Sequence, residues 1–114
     1  MALPQITHLQ FLILDLIRMD DHSGRYIRER LREEGEKKSA PSFYQLMARL
    51  QDGGYVTGWY EAFNIDGQTI KERRYQLTPK GRRVLREVRK FYAERGAESE
   101  RNPHVAVDPE GTIS

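Results

Sequence analysis

The chain has 114 residues, no cysteine, 38% hydrophobic and 32% charged residues, and a formal net charge of +2. That describes one domain with a small core, without a disulfide framework or a thiolate metal site. No apolar run approaches the roughly 20 residues that span a bilayer, and no basic start precedes the first apolar stretch, so neither membrane nor signal peptide is expected and a reducing cytoplasm suits the composition.

ITHLQFLILDLIRM predicts the first helix. Thr7 and Gln10 have capping-box spacing. Leu9, Leu12, Ile13, Leu16 and Ile17 form one face, and Phe11 and Leu14 are apolar on the other. A helix apolar nearly all round needs cover all round, which points to a partner subunit. Ser23 is placed to cap a second helix, GRYIRERLREEG, with Ile27 and Leu31 inward and Gly35 as its stop. A third helix starts at Ser39, with Pro41 in its first turn, and ends at Gly53-Gly54. Its apolar stripe is Phe43, Leu46, Met47 and Leu50; its other face carries Ser42, Gln45, Ala48 and Arg49.

The stretch from Tyr55 to Leu77 is rich in aromatic and β-branched residues and predicts two strands, 55–64 and 69–77. Asp66-Gly67 between them is a preferred pair for a tight hairpin. Thr78-Pro79 is an N-cap followed by proline at the first helical position, opening a last helix over 79–95. Residues 1–95 thus read as one domain and 96–114 as an acidic tail, expected to be disordered, in which Val105 and Val107 have the pattern of a short strand. Charge is uneven. Residues 71–95 carry ten Lys/Arg against three Asp/Glu, a local +7, and residues 96–114 one Arg against four Asp/Glu, a local −3. Such clustering is either a nucleic-acid footprint or a solvated basic helix.

Three helices, a β-hairpin and a final helix make a mainly α, α+β fold: a winged helix-turn-helix. The third helix suits a DNA major groove, and the hairpin cations suit phosphates. The candidate contacts are Ser42 and Gln45 on base edges, with Tyr44, Lys71, Arg73 and Arg74 on phosphates. Each has a plain structural alternative as an exposed or packed side chain. Arg49 either meets phosphate or braces the fold by pairing with an acid such as Glu61. Ser39 caps its helix, and its end of the helix suits a phosphate. Arg25 and Arg28 are weaker candidates. Phe11, Trp59, Phe91 and Tyr92 are either core or the lining of an effector pocket. His8, His22 and His104 are scattered away from paired carboxylates, so no metal is expected. No nucleophile–base pair or Gly-rich phosphate loop stands out, so neither enzymatic activity nor a cofactor is expected.

These blocks together resemble the PadR-like transcriptional regulators over roughly residues 6–92. The matching positions are the first helix, ITHLQFLILDLI, then Ser42, Tyr44, Leu46, Arg49, Leu50, Gly54 and Val56 in PSFYQLMARLQDGGYV, and the strand-to-helix junction RRYQLTPKGRRVL. Trp59 and Glu61 also sit where the family pattern has them. Pro41 stands in place of the usual glycine, Gln51 in place of the usual acid, and GRYI where Gly-Tyr-Glu-Ile is common. With no large helical region after residue 95, the chain is similar to the family's short branch. The resemblance implies a homodimer through the first and last helices, double-stranded DNA as partner, and a repressor relieved by a small effector. The rival expectation is a protein–protein module, since Arg49 is the one basic residue of the third helix and Trp59, Tyr60 and Phe63 suit a protein contact.

Overall fold

The computed structural model describes residues 6–101, with side chains as far as residue 96. Thr7 closes a complete capping box with Gln10 at the start of helix α1, His8–Leu16. A two-residue strand β1, His22–Ser23, follows, and Ser23 also caps α2, Gly24–Glu33. Ser39 caps α3, Ala40–Asp52. The hairpin strands are β2, Val56–Ile65, and β3, Gln68–Leu77, and the chain continues as α4, Pro79–Arg101. The sheet order is β1-β3-β2, antiparallel throughout. This is the expected winged helix-turn-helix.

Two features go beyond the sequence expectation. β1 pairs His22 with Tyr75 and Ser23 with Arg74; two residues have no readable period, and their partner lies about fifty residues on. The last helix runs to Arg101, so the expected boundary at residue 95 falls inside it. The rest of the expected tail, with Val105 and Val107, lies outside the described residues, as does His104.

The core draws on every element except β1. Ile13, Leu14, Ile17, Ile27, Leu31, Phe43, Met47, Leu50 and Val56 are almost wholly buried, with Tyr75, Leu77 and Leu85 closing the cluster. The i, i+4, i+7 spacing of Phe43, Met47 and Leu50 turns one face of α3 inward. Its opposite face is left in solvent. On α1, Leu9, Phe11, Leu12 and Leu16 are only partly buried against the core. Val88 is the last buried residue of α4 among those whose side chains are described. Helix and strand alike therefore extend past the core that a single chain supplies: α4 is about 35 Å long.

The hairpin meets α4 at a tight junction. The Thr78 side chain donates to the Gly54 carbonyl at 2.6 Å and accepts from the Gly81 backbone N–H at 3.0 Å. The Thr78 backbone N–H donates to the Tyr55 carbonyl at 3.1 Å. Lys80 Nζ donates to the Gly53 carbonyl at 2.7 Å and lies 4.9 Å over the Tyr55 ring, a cation at the negative end of α3. One threonine and one lysine thus tie the end of α3 to the start of α4, which fixes where the hairpin stands beside α3.

Candidate nucleic-acid interface

Strand pleating decides which hairpin side chains share a face. The register pairs Tyr60 with Arg73, Ala62 with Lys71 and Gly58 with Tyr75. One face therefore carries Tyr60, Lys71, Arg73 and Tyr75, and it borders α3. Together with Tyr44, Ala48 and Gln51 of α3, these four side chains line a cleft of about 470 Å³. Arg73 is held in it from three sides. It donates to Gln51 Oε1 at 3.0 Å, and its guanidinium lies 4.9 Å from the Tyr60 ring and 5.6 Å from the Tyr75 ring. Burial pushes the Tyr75 phenol upward despite Arg73, so the phenol stays neutral and leaves the guanidinium charge uncancelled. A smaller hollow continues past Tyr44 to Arg25 and Lys71.

Tyr44 itself stands edge-on to Phe43, ring centres 5.1 Å apart, and is 40% exposed. Its ring lies over Gly24 at the start of α2. A Cβ at Gly24 would come within 2.8 Å of the Tyr44 hydroxyl, so the glycine leaves room for the ring. On the other flank of α3, Ser42, Gln45 and Arg49 are exposed and share a shallow groove with Leu9, Lys38 and Leu46. Ser39 accepts from the Ser42 backbone N–H at 3.3 Å and caps the helix. The expected site residues thus divide into two groups, with α3 as the ridge between them. Ser42, Gln45 and Arg49 stand on one side, and Tyr44, Lys71 and Arg73 on the other.

Arg74 stands apart. One residue on from Arg73, it points to the opposite face of the hairpin, beside Glu61, Glu72 and the β1 turn. Its guanidinium meets Asp21 at 2.8 Å, Glu72 at 3.1 Å and Glu61 at 3.3 Å, and it is 22% exposed. It also donates to the Asp21 backbone carbonyl at 3.3 Å. Expected among the phosphate-gripping cations, it is instead engaged with three carboxylates of its own chain. The acid expected for Arg49, Glu61, pairs with Arg74, and Arg49 makes no ion pair among the described residues. Arg28 is likewise engaged, donating to the Lys38 carbonyl at 2.9 Å and so bracing the turn between α2 and α3.

The hydrogen bond from Arg74 holds the Asp21 carboxyl below its usual range, against a smaller opposing effect of burial. A carboxyl depressed in the folded state stabilises at pH above its unfolded value, and that contribution is lost as the pH falls through the folded one. Arg74→Gln should therefore lower stability at neutral pH, by roughly 1 kcal/mol because Asp21 and Glu61 are over one third exposed and screened. The gap from the parent protein should close as urea titrations are carried below the carboxylate range. A gap that does not change with pH would mean that Asp21 is not the partner that matters.

Sequence reasoning missed Gln51 and Tyr60 as parts of the cleft. Their signals are present: Tyr44, Ala48 and Gln51 are spaced i, i+4, i+7, and Tyr60 falls opposite Arg73 once Asp66-Gly67 sets the turn. Of the four aromatics considered for an effector pocket, Phe11, Phe91 and Tyr92 surround a small cavity of about 180 Å³ between α1 and α4. Trp59 lies on the hairpin opposite Arg74 and does not reach it. Among the described residues no group of His, Asp and Glu is placed to hold a metal, and no helix is long and apolar enough to cross a membrane.

A winged helix-turn-helix with an exposed polar third helix and cations on the wing places the chain in a class, the winged-helix proteins. The sequence profile of the transcriptional regulator PadR-like family matches residues 13–87, and the chain belongs to that family, one of regulators rather than of enzymes. No curated protein sequence matches it. Solved structures do. A PadR family regulator from Clostridium difficile R20291 shares the fold with a TM-score of 0.69, at 18% identity, over 83% of this chain and 97% of that one. A PadR-like regulator from Bacillus cereus gives a TM-score of 0.67, at 23% identity, over 82% of this chain and 88% of that one. Bacillus subtilis PadR in complex with operator DNA gives 0.56, at 27% identity, over 69% of this chain and 44% of that one.

Proposed function

We propose that this regulator is a sequence-specific DNA-binding protein that acts as a two-fold dimer and represses by covering a promoter. The observation that carries the reading is the cleft itself. The helix, through Tyr44, Ala48 and Gln51, and a wing face bearing Lys71 and Arg73 border the same space, and the exposed Ser42 and Gln45 stand on the flank of α3 just beyond it. Bacillus subtilis PadR, 27% identical over the shared region, is seen on operator DNA, which supports duplex DNA as the partner.

In this reading α3 enters the major groove, which admits a helix with its side chains. Ser42 and Gln45 read base edges; a glutamine amide pairs bidentately with adenine. Tyr44, Arg49, Lys71 and Arg73, joined by Arg25, hold phosphates on either side, and the α3 N-terminus at Ser39 offers backbone N–H groups to another. Arg74 serves from behind by fixing the wing against β1. The partly buried flank of α1 and the overhang of α4 supply the dimer contact, with Tyr92, 52% exposed, at its centre. Two-fold symmetry then sets half-sites about one DNA turn apart, or a multiple of it. A small effector has its place between α1 and α4, in the cavity of Phe11, Phe91 and Tyr92. No cofactor takes part, and the setting is the cytoplasm.

Gln45→Ala tests the readout. It should relax preference at one position of each half-site, by about 1–3 kcal/mol of discrimination, in anisotropy titrations against single-base operator variants. Equal losses on every sequence would remove Gln45 from base reading. The protein-module alternative draws on the wing aromatics Tyr60, 69% exposed, and Phe63, 38% exposed, whereas Trp59, the third aromatic expected there, is half-buried. Folded protein that ignores duplex DNA at all salt concentrations would favour it.

A further inference from the structure

On the face of α4 turned toward the end of α1 lies a second pocket, of about 270 Å³, with an apolar floor of Met19, Leu77 and Leu85 and a rim of Arg18, Arg82, Arg86 and Arg89. Its charge is poorly balanced. Asp15 pairs with both Arg18 and Arg89. Arg82 donates to the Arg18 carbonyl at 2.9 Å, which leaves its charge standing. Arg86 has no ion pair among the described residues. Met19 is 77% exposed, an apolar side chain in water beside four guanidinium groups. Such a pocket calls for a segment with carboxylates and one apolar anchor.

The stretch that follows α4 has that composition: Asp108, Glu110 and Ile113, in the sequence DPEGTI. Reach selects among its apolar residues. Leu85 lies sixteen residues back along the helix from Arg101, about 24 Å. Val105 and Val107, four and six residues past Arg101, extend only about 14 Å and 21 Å, and fall short of that floor. Ile113, twelve residues on, extends about 40 Å and reaches it. Asp108 and Glu110 reach the nearer turns of Arg89 and Arg86 by the same measure.

We propose that residues 108–113 fold back on their own chain into this pocket, with Asp108 and Glu110 paired to Arg89 and Arg86 and Ile113 on the floor of Met19, Leu77 and Leu85. Docked there, the segment covers the basic face of α4 with carboxylates and leaves the cations of α3 and the wing as the open positive surface. The proposal does not depend on what the wing binds.

The chain has no cysteine, so Gly111→Cys gives one site for a nitroxide spin label on the full-length protein. The expected result is selective broadening of the Met19 methyl and of the Leu85 and Arg86 amide signals in NMR spectra. The broadening should be relieved by salt, by Asp108→Asn with Glu110→Gln, and separately by Arg86→Glu, each of which leaves the core residues untouched. Full intensity at Met19 and Leu85 in the labelled protein would overturn the proposal. So would broadening centred on α3 or the wing. Broadening that appears only when labelled chains are mixed with unlabelled, isotope-enriched ones would also overturn it, by assigning the segment to a second copy.

Discussion

Gly81→Ala is expected to destabilise the protein by about 3 kcal/mol or more, and it touches neither α3 nor the wing cations. The new Cβ would sit 2.1 Å from the Tyr55 carbonyl oxygen, a backbone atom with no rotamer to escape into. Tyr55 cannot retreat, because its carbonyl accepts from the Thr78 backbone N–H and its own N–H donates to the Leu50 carbonyl at 3.0 Å. Relief requires α4 to lift off the end of α3. That move breaks the Thr78 and Lys80 bonds to Gly54 and Gly53 as well. Forced overpacking of this kind exceeds the ordinary cost of an added methyl group because the backbone itself must shift. Urea denaturation should show a lower midpoint with an unchanged slope. A midpoint within error of the parent would show that α4 is not seated on Tyr55.

The second large effect is on binding. Lys71→Ala combined with Arg73→Ala should weaken the binding of all duplex sequences by tenfold or more at physiological salt. The slope of log K against log salt should fall by about 2, one for each phosphate that is no longer neutralised. Arg73 contributes more than charge, since its place between Tyr60 and Tyr75 and its bond to Gln51 hold the guanidinium in one pose. Stability should fall modestly as the contacts of Arg73 are lost, so the salt slope is the reading that separates this variant from one at Arg74. Arg74→Gln gives the contrast. It should cost stability while leaving the salt slope unchanged. If the two variants behave alike, the division of the wing into a binding face and a bracing face fails.

That division also marks how far the sequence could be read. The helices and their caps at Thr7, Ser23, Ser39 and Thr78 were legible, because a cap is a local event between residues three apart. Asp66-Gly67 announced the hairpin, since both positions take positive φ, 49° and 80°. The register follows from that turn, and with it the alternation that sends Arg73 to the cleft and Arg74 away from it. Grouping the two arginines by adjacency, as a run of charge, ignores the pleat. Their parity was readable; the carboxylates awaiting Arg74 were not. Asp21 is 53 residues away in sequence, and only the pairing of β1 with β3 brings it there. Gly81 illustrates the same limit. The Thr78-Pro79 cap identifies the junction, yet the atom that excludes a side chain at Gly81, the Tyr55 carbonyl, belongs to a segment before the hairpin.

Selection of bound fragments from a random duplex pool at near-physiological salt tests the central claim most directly. A regulator that reads bases with Ser42 and Gln45 on each of two protomers should enrich a two-fold symmetric motif, with half-sites about one DNA turn apart or a multiple of it. Failure of the folded protein to retain any duplex, or retention with no motif enriched, would contradict it and return the polar face of α3 to another kind of partner.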